Sequence, residues 1–222
     1  FRASTCHAAA LGGQLRVLKW LRERSCPWIP RDICSGAARG GHLELMKWAR
    51  EEGCSLDEDF CKNAARGGHL KMLQWLRKEG CSWNSDTCMK AAEGGHLEVL
   101  KWLREEGCPW DERTCYWAAQ GGHLGVLKWA RGKGCPWNER TCYFAAAGGK
   151  LVVLKWLKEE GCPWDLWTCR GAAESGHLNV LRWAIKSGCP YNRDGYFISL
   201  ITDLGFLEWL ESHERAVTVG RR

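Results

Sequence analysis

The segment Thr114-Cys-Tyr-Trp-Ala-Ala-Gln-Gly-Gly-His-Leu-Gly-Val-Leu-Lys-Trp129, followed by Gly134-Cys-Pro-Trp137, is one copy of a unit that recurs along almost the whole chain. One cysteine of each copy lies at position 6, 34, 61, 88, 115, 142 or 169, a step of 27 residues after a first step of 28. One tryptophan of each copy follows the same rule, at 20, 48, 75, 102, 129, 156 and 183. A constant period of this length is typical of repeat architectures, so the chain is interpreted as a stack of copies.

The residue order within one copy predicts two short helices. A first helix over 112–120 has a suitable N-cap in Asp111, because its carboxylate can accept from amides one turn further on. The glycine pair that follows predicts a break, and a second helix is expected from about His123 to a glycine C-cap, as at Gly107. The apolar face of this second helix is so broad that only neighbouring copies can cover it. The same N-cap slot holds Asn84, Asn138, Asp165 and Asn192.

The period divides the chain into seven helix-pair units and a degenerate C-terminal cap. The predicted array covers 1–214, with units at about 1–27, 28–55, 56–82, 83–109, 110–136, 137–163 and 164–190, and the cap at 191–214. The cap retains second-helix sequence around Trp209 but has lost the cysteine and the alanine and glycine pairs, as expected of a terminal copy. Residues 215–222 do not repeat, and we expect a flexible tail there. Phe1 stands where other copies carry Trp, so we expect a fragment of a longer array.

The motif over 91–107, Ala-Ala-Glu-Gly-Gly-His-Leu-Glu-Val-Leu-Lys-Trp-Leu-Arg-Glu-Glu-Gly, resembles the ankyrin repeat, in which Ala-Ala-x-x-Gly-His-Leu-Glu-Val-Val-Lys links two helices. The resemblance covers nearly all of the chain and implies an all-α helix-turn-helix solenoid that binds proteins. The family repeats about every 33 residues. The residues missing here fall between Gly107 and Arg113, where the family has a β-hairpin. The chain therefore resembles a short-repeat variant without that finger. A leucine-rich horseshoe is disfavoured by the helical spacing.

The composition is that of an ordinary soluble domain, with 45% hydrophobic and 26% charged residues. No apolar run reaches the roughly 18 residues of a membrane span. The net charge of +6 arises from interspersed charges of both signs, which favours solvated surfaces. No phosphate-binding loop, nucleophile motif or unrepeated catalytic cluster is present, so neither an enzyme nor a cofactor is predicted.

The repeated cysteines and histidines are interpreted as structural. Fourteen cysteines form two series. The spacing leaves open whether cysteines such as Cys108 and Cys115 pair with each other. Without a CxxC motif a zinc site is disfavoured, so buried reduced thiols and an intracellular, reducing compartment are expected. The histidines share one slot with Gln14 and Lys150, and lysine is a poor metal ligand. No metal is predicted, and each histidine is expected to bond locally at the start of its second helix.

Two further aromatic series are also interpreted as structural. The tryptophan of the second helix is predicted to lie in the core. A second aromatic series, which includes Trp28, Trp110 and Tyr191, is expected to cover the edge where the family's hairpin is absent.

Binding is sought where the copies differ, chiefly at the two positions after the first-helix cysteine. Packing alone does not demand such variety, so we expect some of these side chains to be exposed on the first-helix face. The alternative, that the rings fold back onto small residues, stays open. The candidate partner-binding residues are the aromatic Tyr116, Trp117, Tyr143, Phe144 and Trp167, and the basic Arg39, Lys62, Arg66 and Lys90.

These patterns predict a protein–protein interaction scaffold or adaptor. The first-helix face, which is concave in ankyrin repeats, is the expected docking surface for another protein. A structural subunit of a large complex, with RNA or other acidic contacts, is the alternative. Nucleic acid itself is disfavoured, because the basic and aromatic positions are offset along the chain.

Overall fold

The structure is a computed structural model that describes residues 3–219, without the side chains of Ala3, Tyr196 and 216–219. All regular elements within that range are helical, which confirms the all-α class. Helices α1 to α16 span Ala3–Leu11, Leu15–Glu23, Pro30–Gly40, Leu43–Glu51, Glu58–Gly67, Leu70–Lys78, Ser85–Glu93, Leu97–Glu105, Glu112–Gly121, Leu124–Gly132, Glu139–Ala147, Leu151–Glu159, Leu166–Glu174, Leu178–Lys186, Gly195–Ser199 and Leu204–Val219.

The helices form two compact units. One comprises the chain up to Ala118 together with His123–Pro136, and the other comprises Ala119–Gly122 and the residues from Trp137 onward. In the first unit α1 packs on α3, α3 on α5 and α5 on α7, so that first helices of successive repeats are neighbours. In the second unit α11 packs on α13 in the same way.

The close packing of first helices depends on their alanine pair. Ala64 and Ala65 of α5 and Ala91 and Ala92 of α7 have no solvent exposure. A methyl group is the largest side chain that lets two helix backbones approach this closely, which explains why every full repeat carries the pair. The second helices supply the larger core side chains, for example Leu100, which is also fully buried.

Asparagine or aspartate caps the first helices from α5 to α13, whereas α3 begins with Pro30 after Ile29. The side chain of Asn84 accepts from the Asp86 amide at 3.0 Å, and Asp111, Asn138 and Asp165 accept equivalent bonds, as predicted. Asp57 caps α5 in the same way.

The predicted cap at Asn192 is wrong. Helix α15 begins only at Gly195, and Asp194 accepts from the Phe197 amide at 2.7 Å. Asn192 instead donates its side-chain amide to Asp194 at 3.2 Å. The cap therefore moves two residues along the chain in the degenerate repeat, because the aspartate directly before the helix is the nearer acceptor.

In four repeats the histidine before the second helix connects the repeat to the preceding one. His123 lies against Gly95, and its Nε2 donates to the Glu93 carbonyl oxygen at 3.0 Å. Because a carbonyl oxygen only accepts, Nε2 must carry the hydrogen. His42, His69 and His96 make the same contact to residues 30 or 31 positions earlier. The expectation of purely local histidine bonds was therefore wrong.

The second glycine of each pair makes room for this ring. Gly95 has a φ of +76°, and a Cβ built on it would lie 2.5 Å from Nδ1 of His123. Left-handed backbone and lack of space thus demand glycine for two separate reasons. In the second unit the aliphatic stem of Lys150 lies over Gly122 instead, which explains why lysine fits the histidine slot.

The second-helix tryptophans do not lie in the core, so that prediction was wrong: Trp20 is exposed and the other six are half-buried. Five of these tryptophans contact a tryptophan of the second aromatic series, with the two rings tilted or edge to face. In the pair Trp83–Trp102 the ring centroids are 5.6 Å apart. The Arg77 guanidinium covers Trp83 at 4.3 Å from the ring centre. The core is built mainly from aliphatic side chains such as Leu73 and Leu100. The other pairs are Trp28–Trp48, Trp110–Trp129, Trp137–Trp156 and Trp164–Trp183.

The last helix is longer than the sequence pattern indicated. Helix α16 runs over Leu204–Val219 and so includes the first five positions of the segment 215–222 that was expected to be a tail. The predicted flexibility at 220–222 and the predicted role of Phe1 lie outside the described residues. The polar composition after Ser212 is compatible with a helix, because helix formation does not require the repeat pattern.

We expect Gly95→Ala to lower the free energy of unfolding by about 2–4 kcal/mol, from left-handed strain plus overlap with His123. Gly107→Ala is the matched control, because Gly107 has a φ of +78° but no atom within 4 Å of a built Cβ. It should lose only about 1–2 kcal/mol from strain. Urea unfolding of both variants measures the difference. Equal losses would show that the histidine contact contributes nothing.

Candidate functional site

A groove of about 470 Å³ lies between α11 and α13 of the second unit. The side chains that line it belong to first helices of consecutive repeats or to the N-cap of α13. Helix α11 contributes Glu139, Arg140, Tyr143 and Phe144. The next repeat contributes Asp165, Trp167 and Glu174. Three of the five predicted aromatic residues are therefore brought together in one groove.

These three aromatic rings differ in exposure. Trp167 is 49% exposed, which is unusual for so large an apolar side chain. Tyr143 and Phe144 are half-buried and meet edge to face, with centroids 5.2 Å apart. The ring of Tyr143 packs on Gly171, where an added Cβ would lie 2.8 Å from the ring. Tyr143 thus partly folds back onto a small residue, whereas Trp167 remains at the surface.

In the first unit, Tyr116 is buried at 4% exposure, so the exposure expected of it is not found. Met89, which holds the same position one repeat earlier, is also buried, which shows that this position can face the interior. Trp117 is half-buried, and the ammonium group of Lys90 lies 5.6 Å from its ring centre. The structure therefore pairs one predicted aromatic residue with one predicted basic residue.

Lys62 is neutralised by carboxylates. Its ammonium group donates to Glu58 at 2.8 Å and to Asp59 at 3.0 Å, and Asp86 of the next repeat lies 3.9 Å away. The hydrogen bond to Glu58 raises the pKa of Lys62, and the hydrogen bond from Lys62 lowers the pKa of Asp59. Lys62 is therefore part of the ion pairs between repeats rather than an open basic site.

Two more of the predicted basic residues share one carboxylate. Arg66 lies 2.8 Å from Glu93, and Lys90 lies 2.7 Å from the other oxygen of the same side chain. Arg39 is exposed and has no ion pair within the described part of the chain. The basic stretch expected from the sequence is thus largely compensated, which removes most of its attraction for phosphates.

The sequence interpretation missed Glu139 and Arg140 as site residues. Their counterparts one repeat earlier are Glu112 and Arg113, and Arg113 binds the aspartates at 86 and 111. Asn138 replaces the second of these aspartates, so Arg140 lacks the carboxylate that Arg113 finds two residues before it. The change from Asp-Glu-Arg to Asn-Glu-Arg was the available signal.

The two cysteine series form pairs within each repeat, 20 residues apart. The thiol of Cys6 donates to Cys26 with 3.3 Å between the sulfurs, and Cys34 and Cys54 are joined as a disulfide. The other twelve cysteines form no disulfide and are buried. Among the described residues Cys108 does not pair with Cys115 across the loop. Its neighbour is Cys88 on α7, the first helix of the same repeat.

In five repeats the second cysteine of the pair also donates to the backbone carbonyl of the residue that caps the first helix. The thiol of Cys108 donates to the carbonyl oxygen of the N-cap Asn84 at 3.4 Å, and the thiol of Cys135 does so to Asp111 at the same distance. The cysteines thus serve as small apolar side chains that also satisfy a cap carbonyl.

In six of the pairs, hydrogen bonding within the pair and burial raise the pKa of one thiol. Hydrogen bonding to Cys108, and then burial, raise the pKa of Cys88 far above the ordinary 9.0. At the first repeat burial, and then hydrogen bonding to Cys26, raise the pKa of Cys6 to about 11. Hydrogen bonding to the paired cysteine, and then burial, also raise the pKa of Cys61, Cys135, Cys142 and Cys169.

Neither a metal centre nor a membrane segment is found in the described residues. No group of three or more His, Cys, Asp or Glu side chains in this part of the chain is arranged to hold a metal ion. None of the helices described here combines the length and hydropathy needed to cross a bilayer. The first-helix groove is therefore the feature that calls for a functional explanation.

Successive helix pairs of constant period define the class of helical-repeat proteins. Residues 88–130 match the family model of ankyrin repeats (many copies). The fold is similar to the crystal structure of the human ASB11 ankyrin repeat domain, with a TM-score of 0.55, 20% identity, and coverage of 71% of this chain and 84% of that chain. Comparison with curated proteins gives no significant match.

Both positive findings support the ankyrin repeat family, here in a short form in which the described residues contain no β-hairpin. Ankyrin repeats are in general protein–protein interaction modules, and the fold is typically a binding scaffold without catalytic activity. The class of function expected from the sequence is thereby supported at this coarse level.

We expect the free energy of unfolding to fall as pH rises above about 9. The thiols whose pKa is raised, such as that of Cys88, stay protonated in the fold, whereas the same thiols in the unfolded chain ionise at their ordinary pKa. Their stabilisation is complete below pH 9 and is lost above it, by up to about 1.4 kcal/mol per pH unit for each thiol with a raised pKa. Urea unfolding at pH 7.5 and pH 10 measures the change.

The control for this pH dependence is a chain with Cys88→Ala and Cys108→Ala. Lysine and tyrosine side chains also titrate near pH 10, so the two slopes are compared rather than the absolute stabilities. The variant should have a shallower loss. An unchanged slope would contradict the assigned role of the thiol pair.

Proposed function

We propose that the chain is a protein-binding scaffold or adaptor whose partner docks on the first-helix face, in the groove between α11 and α13. The exposure of Trp167, 49% on the wall of this groove, is the observation that carries the proposal. Large aromatic side chains at such positions dominate the energetics of many protein interfaces.

Both walls of the groove are formed by helices that are held rigidly in place. These helices are fixed by N-caps and by the alanine pairs beneath them, since Ala145, Ala146 and Ala172 are fully buried. Side chains on rigid helices lose less entropy on binding than side chains on a mobile loop. A partner would therefore meet a largely preorganised surface.

The test is capture of the natural partner by the whole chain, followed by an affinity measurement with that partner. Trp167→Ala should weaken binding by about 2 kcal/mol, or roughly thirtyfold. Its melting temperature should change little, because half of the ring is already exposed. Leu166→Ala is the matched control, since Leu166 is 40% exposed but does not line the groove.

Two results would refute this proposal. One is equal affinity of the Trp167→Ala chain and the wild-type chain for the captured partner. The other is loss of capture after nuclease treatment, which would show that nucleic acid bridges the two proteins.

We also infer that the chain functions in a reducing, intracellular compartment. The support is the set of twelve buried cysteines that form no disulfide although they lie in pairs, as Cys6 and Cys26 do with 3.3 Å between their sulfurs. Under oxidising conditions such pairs are candidates for disulfide formation.

Protein isolated from its source, unfolded without reductant and treated with iodoacetamide, checks the compartment. We expect at least the twelve cysteines that form no disulfide to be alkylated, as counted by intact mass. Recovery of most pairs as disulfides, with a thiol-blocked lysate as the control against oxidation during isolation, would reject this inference.

A further inference from the structure

We propose that the groove between α11 and α13 accepts a single lysine or arginine side chain of the partner protein. This inference rests on the proposed function, because it specifies the chemistry of the segment that would occupy the same groove. It follows from the combination of exposed aromatic rings with a surplus of carboxylates on the groove walls.

The aromatic rings provide a surface suited to a cation. The face of an aromatic ring is electronegative and attracts an ammonium or guanidinium group within about 6 Å, most strongly for tryptophan. Trp167 offers such a ring at the surface, and the Tyr143–Phe144 pair forms the facing wall. The aliphatic stem of a lysine or arginine would lie along these rings while its charged end reaches the polar rim.

The charges on the groove walls favour the same occupant. Glu139, Asp165 and Glu174 supply three carboxylates and Arg140 one guanidinium, and Glu174 is paired with Arg170 at 2.9 Å, which leaves a surplus of one negative charge. Glu139 is exposed and has no ion pair with any residue that the structure describes. Asp165 uses one oxygen to cap α13. Glu139 is therefore the carboxylate most available to an incoming cation.

The chain already forms a contact of this kind at the edge of the groove. The guanidinium of Arg170 lies 4.8 Å from the ring centre of Trp167 and donates from Nε to Glu174 at 2.9 Å. A cation held between this tryptophan and a carboxylate is thus a stable arrangement at this place. Arg170 does not line the groove, so the part of Trp167 that does so lies outside this contact.

Arg140 restricts the occupant to one positive charge. Its guanidinium keeps its charge at every physiological pH and repels a second cation close by. We therefore expect the bound segment to carry one basic residue between neutral neighbours. A polybasic segment, which would gain from a strongly acidic surface, fits this groove less well.

Random dodecapeptides displayed on phage and selected against the intact chain test the inference. The probes are capped synthetic copies of the selected peptides, measured by calorimetry. Each is compared with a copy in which citrulline or norleucine replaces the arginine or lysine, which removes the charge at nearly constant size. We expect selected peptides to contain one basic residue and to lose about tenfold in affinity on this replacement.

Variants of the chain locate the contact. Trp167→Ala should abolish measurable peptide binding, and Glu139→Gln should weaken it about fivefold. Glu112→Gln is the matched control, because Glu112 holds the same position one repeat earlier and does not line the groove. It should leave the affinity unchanged.

The outcomes separate this inference from the proposed function. Peptides that depend on Trp167 but are acidic or neutral, or that tolerate citrulline and Glu139→Gln, would overturn the inference and leave the scaffold function standing. If no selected peptide depends on Trp167, both fail. Equal weakening by Glu112→Gln and Glu139→Gln would show a diffuse charge effect and would also overturn the inference.

Discussion

The contact between a histidine ring and the left-handed glycine of the preceding repeat is the constraint on which the stack depends. Gly95 and His123 show what it requires: a backbone with φ of +76°, no Cβ, and a carbonyl oxygen within 3.0 Å of Nε2. Each repeat thereby sets the position of the next. The alanine pairs then bring first helices together, and the groove between α11 and α13 is a consequence of that spacing.

Much of the fold could be predicted, because a strict period shows which positions are equivalent. Caps such as Asp111 and the glycine turns follow from local chemistry, and both were confirmed. The contacts of the histidines and the surface position of tryptophans such as Trp102 could not be predicted in this way. Equivalent positions share an environment, but the period does not say whether that environment is a core, a surface or the neighbouring repeat.

The candidate site could be predicted from the sequence less well than the fold. Tyr116 and Trp167 were grouped as exposed aromatic residues, yet the first is buried and the second is not. Lys62 and Arg66 were grouped as basic surface, yet carboxylates of their own or the next repeat neutralise them. Burial and charge compensation depend on side chains about 27 residues away. The one signal in the sequence was the loss of an aspartate before Arg140.

Every contact described between repeats joins one copy to the copy next to it. A histidine reaches back 30 or 31 residues, and no described contact of this kind skips a repeat. Excision or duplication of one complete period would therefore bring together the same glycine and alanine positions at the new boundary, while the ion pairs specific to the old junction would be replaced. The groove between α11 and α13 would be kept as long as its two repeats stay adjacent in the new array.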